Sequence, residues 1–118
     1  MKFLSLVLFL VQLGEAQGPV VTVNTSISAS AGNLTCVGTP SVNTSNVPQM
    51  HLVCNVGTVN INTSDSTVPS TPATSVTISV QSGVNVITLI LTKGNPIPDQ
   101  WQISVTDGTT TKMKNGSF

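Results

Sequence analysis

Five asparagines in this sequence stand in the pattern Asn-x-Ser/Thr, the acceptor motif for N-linked glycans. They are Asn24, Asn33, Asn43, Asn62 and Asn115, and none has proline at the middle position. In a chain that passes through a eukaryotic secretory pathway, each is a candidate for glycan attachment on an exposed surface. A chain this rich in Asn, Ser and Thr also produces the motif by chance. The prediction of an N-glycosylated protein therefore depends on the compartment.

Two cysteines, Cys36 and Cys54, are the only thiols in the chain. An even cysteine count in an oxidising compartment predicts a disulfide. Both residues fall on the inward face of neighbouring predicted strands, as a buried bridge requires. Two free buried thiols are the alternative interpretation.

Other reactive side chains form no recognisable catalytic or metal-binding pattern. His51 and Cys54 have ligand-like spacing, but a zinc site needs about four ligands. The remaining acids of the mature chain, Asp65, Asp99 and Asp107, are scattered. There is no Gly-x-Ser-x-Gly nucleophile motif. The sequence therefore predicts no catalytic residue, no metal ligand and no cofactor, and we expect a protein that is not an enzyme.

The first residues read as a secretory signal peptide spanning 1–16. Lys2 provides the positive start, residues 3–13 form an apolar segment, and Gly14-Glu15-Ala16 provides a small-x-small cleavage site. The apolar segment is shorter than the roughly 20 residues needed to span a bilayer. We expect a secreted, extracellular protein without stable membrane insertion, whose single domain occupies residues 17–118.

Charged residues make up only 7% of the chain, and arginine is absent. Binding to nucleic acid requires a basic surface that neutralises phosphates. The low charge therefore argues against nucleic acid as a partner. Apolar residues make up 39% of the chain, so Asn, Ser, Thr and any attached sugar must keep the surface soluble.

Period-two alternation of apolar and polar residues predicts β-strands along the whole chain. Residues 84–91 are nearly continuously apolar, which predicts a central strand buried on both faces. Val59 and Ile61 are predicted to point inward in the fourth strand, with Asn62 outward together with Asn24 and Asn33. Segments 38–47 and 64–74 are predicted to be polar loops. The predicted strands cover residues 20–29, 33–37, 50–56, 58–62, 76–80, 84–91, 101–105 and 109–113.

Residues 82–92 and 101–109 together resemble the last strands of immunoglobulin-like and cadherin-like β-sandwich domains. Those domains often carry a Gly-x-Asn-x-Ile-x-Leu strand followed by an alternating strand that starts with an aromatic residue, here Trp101. The separation of the cysteines is shorter than in antibody domains, and the tryptophan follows both cysteines. The resemblance and the alternation together predict an all-β, immunoglobulin-like antiparallel sandwich of seven to eight short strands. Trp101 is interpreted as a core residue, with sugar stacking as the alternative.

Three functions are compatible with these features. The first is a non-enzymatic extracellular binding or adhesion module that recognises a protein or a glycan. The second is a structural or coat-type secreted glycoprotein, and the third is a small secreted hydrolase. Sandwiches of this class usually serve recognition, although fold alone does not determine function. The scarcity of acids, bases and nucleophiles places the hydrolase last.

Overall fold

The structure, a computed structural model, describes residues 18–95 and 97–118. The predicted signal peptide, 1–16, lies outside the described residues. Within the described part of the chain there is no helix, and nine strands account for most residues. They are β1 (Val20–Val23), β2 (Ile27–Ala31), β3 (Leu34–Val42), β4 (Pro48–Val56), β5 (Val59–Thr67), β6 (Ser75–Ser82), β7 (Asn85–Thr92), β8 (Gln100–Thr106) and β9 (Thr111–Ser117).

The strands form two antiparallel sheets that pack against each other. The five-stranded sheet has the order β1-β2-β3-β4-β5, and the four-stranded sheet has the order β6-β7-β8-β9. Within each sheet every strand therefore pairs with its neighbours in sequence, and residues 68–74 carry the chain from β5 in one sheet to β6 in the other. The all-β antiparallel sandwich is confirmed, with nine strands in place of the predicted seven to eight.

The extra strand arises because the predicted first strand, 20–29, is a hairpin. The chain turns at residues 24–26, where the Asn24 N–H donates a hydrogen bond to the Ser26 carbonyl at 2.8 Å. Val21 then lies opposite Ala29 in the β1–β2 pair. This turn contains neither glycine nor proline, the strongest sequence signals for a turn, and the alternation continues across it.

The fourth predicted strand is too short, and the facing of its last two residues is wrong. β5 runs to Thr67, and its register against β4 shifts between Cys54 and Asn55. Such a bulge reverses the facing of residues beyond it. Ile61 is the residue without a partner at this bulge and is 43% exposed, so its predicted inward orientation is wrong. Val59 lies opposite Val56 on the inner side, as predicted, but it is 62% exposed because β5 is at the edge of the sheet. Residues 64–67 belong to this strand and not to a loop, and β3 likewise extends into the predicted loop 38–47.

The core lies between the inner faces of the two sheets. Its residues are apolar, and no polar or charged residue among those described is buried. Trp101 is 6% exposed, which favours the core interpretation over a sugar-stacking surface. The largest side chains that are almost completely buried are Ile27, Leu34, Met50, Leu52, Ile87, Leu89, Leu91, Ile103 and Val105.

Strand β7 is central in its sheet, between β6 and β8, as its apolar run predicts. Its burial differs from the prediction. Ile87, Leu89 and Leu91 are buried on the inner face, whereas Val86 and Ile90 on the outer face are only half-buried. A four-stranded sheet that carries another layer on one side only leaves its other face in contact with water.

Cys36 and Cys54 form the predicted disulfide. They lie directly opposite each other on β3 and β4, with their Cα atoms 4.1 Å apart, and both side chains are fully buried. The bridge joins neighbouring strands of one sheet. It therefore fixes the register of β3 against β4 at the centre of the five-stranded sheet.

Asp107 organises the turn between β8 and β9. Its Oδ1 accepts hydrogen bonds from the backbone N–H of Thr110 at 2.8 Å and of Thr109 at 2.9 Å, and also from the Thr109 hydroxyl. The Thr110 N–H, followed by the Thr109 N–H, lowers the pKa of Asp107 below its ordinary value of 3.8.

This turn should be sensitive to acid. Because the pKa of Asp107 is lower in the folded than in the unfolded chain, its carboxylate stabilises the fold above pH 3.8. That contribution is lost as the pH falls through the lower native pKa. We expect an NMR titration to place the Asp107 midpoint below 3.8 and to show the Thr109 and Thr110 amide signals shifting with it. In Asp107→Asn, which keeps an acceptor but does not titrate, those shifts should disappear. An Asp107 midpoint at or above 3.8 would contradict the capping geometry.

Candidate functional site

The three acids of the described chain occupy separate structural positions. Asp65 pairs with His51, and Asp107 caps the β8–β9 turn. Asp99 accepts a hydrogen bond from the Gly94 N–H at 3.0 Å and lies 3.5 Å from the Lys93 ammonium. No group of three metal-ligating side chains exists among residues 18–95 and 97–118. The acids are thus spread over the molecule, and none of them lies beside a second acid.

His51 and Asp65 form the one acid–base pair on the surface of the described strands. They lie directly opposite on β4 and β5, with Nδ1 of His51 2.7 Å from Oδ1 of Asp65. Both side chains are about half exposed, at 44% and 56%. The pair is an ion pair only when the histidine is protonated, and exposed pairs of this kind contribute little stability. It stands on an open sheet face, which suits contact with a partner better than enclosure of a substrate.

Two surface clefts are candidates for holding a ligand. One, of about 390 Å³, lies between the edge strands β1 and β9 and is lined by Val20, Val21 and Met113 with two lysines. A second, of about 220 Å³, lies beside Val68 and the Lys93–Asp99 pair. His51 and Asp65 line neither of them. The His51–Asp65 pair and these clefts are therefore in different places.

Three of the predicted glycan acceptors lie in hairpin turns. Asn24 is exposed in the β1–β2 turn, and Asn33 is exposed in the β2–β3 turn at the opposite end of the sheet. Asn43 begins the β3–β4 turn, where its Oδ1 accepts hydrogen bonds from the N–H groups of Ser45 and Val47 at 2.9 and 3.0 Å. Its Nδ2, the atom that would carry a glycan, has no part in those bonds.

The other two predicted acceptors lie within edge strands. Asn62 lies opposite the buried Cys54, on the inner side of β5, and is half-buried. Its predicted orientation, away from the apolar face, is therefore wrong, and its Nδ2 donates to the Ser64 hydroxyl at 3.2 Å. The bulge at Ile61 is the cause, because it shifts the alternation of inner and outer residues by one position. Asn115 is exposed on β9, opposite Gln102 on the outer side of the four-stranded sheet.

None of the five acceptor asparagines belongs to the paired residues of the outer face of the five-stranded sheet. We define this outer face by two rows of cross-strand neighbours: Val37, Val53 and Thr63, and beside them Thr39, His51 and Asp65. Val37 is 38% exposed and Val53 is half-buried, so the centre of the face is apolar. Hydroxyl groups and the His51–Asp65 pair surround that centre.

Only part of this arrangement could be read from the sequence. The acceptor motifs and the cysteine pair are sequence signals, and the outward facing of His51 follows from its alternation with the apolar Met50 and Leu52. The outer face itself was missed, since it depends on which residues of β3, β4 and β5 lie opposite one another. Thr35, Val37 and Thr39, at every second position of β3, are a weak sequence signal for this face.

Comparison with known proteins does not assign the chain to a group. No protein-family model, no curated protein and no solved structure matches it. Among the residues that the structure describes, there is also no helix that could cross a membrane. The function must therefore be inferred from the geometry of the molecule.

Proposed function

We propose that this protein is a small secreted, N-glycosylated, non-enzymatic module that binds an extracellular protein or glycan through the outer face of its five-stranded sheet. The observation that carries the proposal is the composition of that face. It presents an apolar centre, a polar surround and an acid–base pair, and all five glycan acceptors lie elsewhere.

The outer face has the anatomy of a recognition surface. Protein interfaces combine an apolar centre with a polar rim that stays accessible to water. Val37 and Val53 would supply the centre, while Thr39, Thr63 and the His51–Asp65 pair would supply the rim. A flat sheet surface suits a broad partner, whereas a small-molecule ligand needs a concave pocket.

Secretion and glycosylation fit the same proposal. A buried disulfide suits an oxidising compartment, and the signal-like residues 1–16 would direct the chain there. Glycans at Asn24, Asn33 and Asn43 would project from the ends of the sandwich. A glycan at Asn115 would cover part of the four-stranded sheet. The outer face of the five-stranded sheet would stay open to a partner.

The likeness to immunoglobulin and cadherin domains is limited to the general architecture of two packed antiparallel sheets. Both sheets here are simple meanders, whereas immunoglobulin sandwiches have Greek-key connections. The proposal therefore rests on the outer face and not on descent from those families.

The proposal is tested by binding of the labelled protein to cells and extracellular matrix of its source organism. We expect saturable binding that Val37→Lys weakens at least about tenfold, a loss of about 1.4 kcal/mol. Val84→Lys is the matched control, because Val84 is 67% exposed in the β6–β7 turn, away from this face. It should bind as the parent does. Absence of saturable binding, or equal weakening by both variants, would refute the proposed face.

Glycan occupancy is measured on the same secreted sample by peptide mass spectrometry, before and after enzymatic release of N-glycans. We expect Asn24 and Asn33 to be occupied, since both are exposed in turns. A secreted protein without any N-glycan would remove glycosylation from the proposal and leave the binding face to be judged by the binding experiment alone.

A further inference from the structure

Four strands form the edges of the two sheets, and three of them carry features that discourage pairing with another chain. β1 is only four residues long and follows Pro19. β5 contains a bulge and a charged residue, Asp65. On β9, Lys112 and Lys114 lie opposite the buried Val105 and Ile103, so they are on the inner side of an edge strand. Short strands, bulges and inward-facing charges are the usual means of blocking sheet edges.

The fourth edge, β6, has none of these features. Its eight residues pair with β7 without a register shift and include no charge, proline or glycine. None of the glycan acceptors lies on it. Alternating Val, Thr, Ile and Ser are residues that favour a regular strand. Its outer backbone groups have no strand beside them in the described chain.

The inner side of this edge is incompletely covered. Val76 and Ile78 pack against the core but remain partly exposed, whereas Val80 at the other end of the strand is buried. A further strand placed against β6 would cover these two side chains as well as pair the free backbone groups.

The sequence of the strand is symmetric about Ile78. It reads Val76-Thr77-Ile78-Ser79-Val80, so an antiparallel pair of two such strands centred on Ile78 places valine opposite valine and threonine opposite serine. Because the strand is uncharged, no like charges meet across the pair. Cross-strand pairs of β-branched residues and of hydroxyl residues are favourable.

From these observations we infer that β6 pairs antiparallel with β6 of a second copy of this chain, which joins two four-stranded sheets into one sheet of eight strands. The interface is isologous, so it closes as a dimer and does not propagate. The edge is small compared with a standard interface of about 1,600 Å². A reversible dimer, with a dissociation constant on the order of tens of micromolar, is therefore expected.

This inference does not rest on the proposed function. The dimer uses an edge of the four-stranded sheet, whereas the proposed binding face belongs to the five-stranded sheet. Either can fail without the other.

Sedimentation equilibrium of the purified protein over a range of concentrations tests the dimer. We expect a monomer–dimer equilibrium that Thr77→Lys/Ser79→Lys weakens at least tenfold, because the symmetric pairing brings lysines directly opposite each other. Both positions are exposed, so the melting temperature of the monomer should stay unchanged. The control Ser28→Lys/Ser41→Lys adds the same charge to exposed positions on central strands of the other sheet. It should dimerise as the parent does.

The register is tested by oxidation of variants with one added cysteine, in which the Cys36–Cys54 bridge is kept. Thr77→Cys mixed with Ser79→Cys should cross-link more efficiently than either variant alone, since those positions lie opposite each other only between copies. The proposal is overturned by a parent protein that stays monomeric at all concentrations. It is overturned equally if the lysine variant still dimerises, or if cross-linking shows no preference for the mixture. A parent protein that stays monomeric but binds an unrelated extended peptide along β6 would show that a peptide, and not a second copy, occupies this edge.

Discussion

Replacing Cys36 and Cys54 together by alanine should lower the free energy of unfolding by about 3 kcal/mol in the chain-entropy description of a disulfide. The two residues are 18 positions apart, so the bridge closes a moderately long loop in the unfolded chain. Both side chains are fully buried, and the loss of their sulfur atoms from the core adds to the cost. Urea denaturation monitored by tryptophan fluorescence measures the change, because Trp101 is the only tryptophan.

Reduction of the unmodified protein is the matched control. It removes the bridge but keeps the sulfur atoms, so the difference between the reduced protein and the double alanine variant isolates the packing contribution. A loss of less than about 1 kcal/mol in both would mean that the bridge does not constrain the unfolded chain as the loop length requires.

The bridge also has a functional consequence. Val37 and Val53 follow and precede the two cysteines directly, and they lie opposite each other on the same strands. The disulfide therefore fixes the register of the two strands that present the centre of the outer face. We expect reduction to weaken partner binding even at temperatures where the protein stays folded, since a slip of one residue between the strands would turn one of the two valines inward.

The C-terminal half of the fold could be predicted from sequence because apolar and polar residues alternate in its strands clearly enough to identify the buried face. Val76, Ile78, Ile103 and Val105 alternate cleanly with polar residues, and the turns between the strands contain glycine. Local pattern and tertiary burial agree there. The position of β7 between its sequence neighbours follows from the same pattern.

The N-terminal sheet was predicted less well because its edge strand β5 is built largely from Thr, Ser and Asn. A strand such as β5, with one apolar side chain in its last seven residues, gives no alternation to read. Its pairing is stabilised by backbone hydrogen bonds and by the neighbouring β4. The bulge next to Cys54 is a property of the pair of strands, so neither strand alone predicts it.

The candidate site likewise combines features that the sequence predicts with features that it does not predict. Acceptor motifs and cysteines can be recognised in the sequence without any knowledge of the fold. By contrast, the His51–Asp65 pair and the Val37–Val53 pair each join residues from different strands. Recognising them requires the register, and the register depends on where the Cys36–Cys54 bridge and the bulge lie.

Truncation of the two faces of β7 should have very different costs. Leu89 is 1% exposed and lies between Ile78 and Ile103 on the inner face, so Leu89→Ala should lower the free energy of unfolding by about 2–5 kcal/mol. Ile90 is half-buried on the outer face. Ile90→Ala removes apolar area that is already partly in contact with water and should cost less than about 1.5 kcal/mol. Urea denaturation of both variants, with Thr88→Ala as a near-neutral control, measures the contrast.

Equal costs at Leu89 and Ile90 would mean that β7 is buried on both faces, as its apolar run predicts from sequence alone. In a sandwich of two sheets, that result would require another layer over the outer side of the four-stranded sheet. Repeating the measurement on dilute and concentrated protein would then identify the layer. A cost at Ile90 that rises with concentration would place a second copy on that face, and such a copy would compete with the edge-to-edge dimer through β6. A cost that stays small at every concentration leaves the outer side of β7 open to water and the β6 edge as the site of self-association.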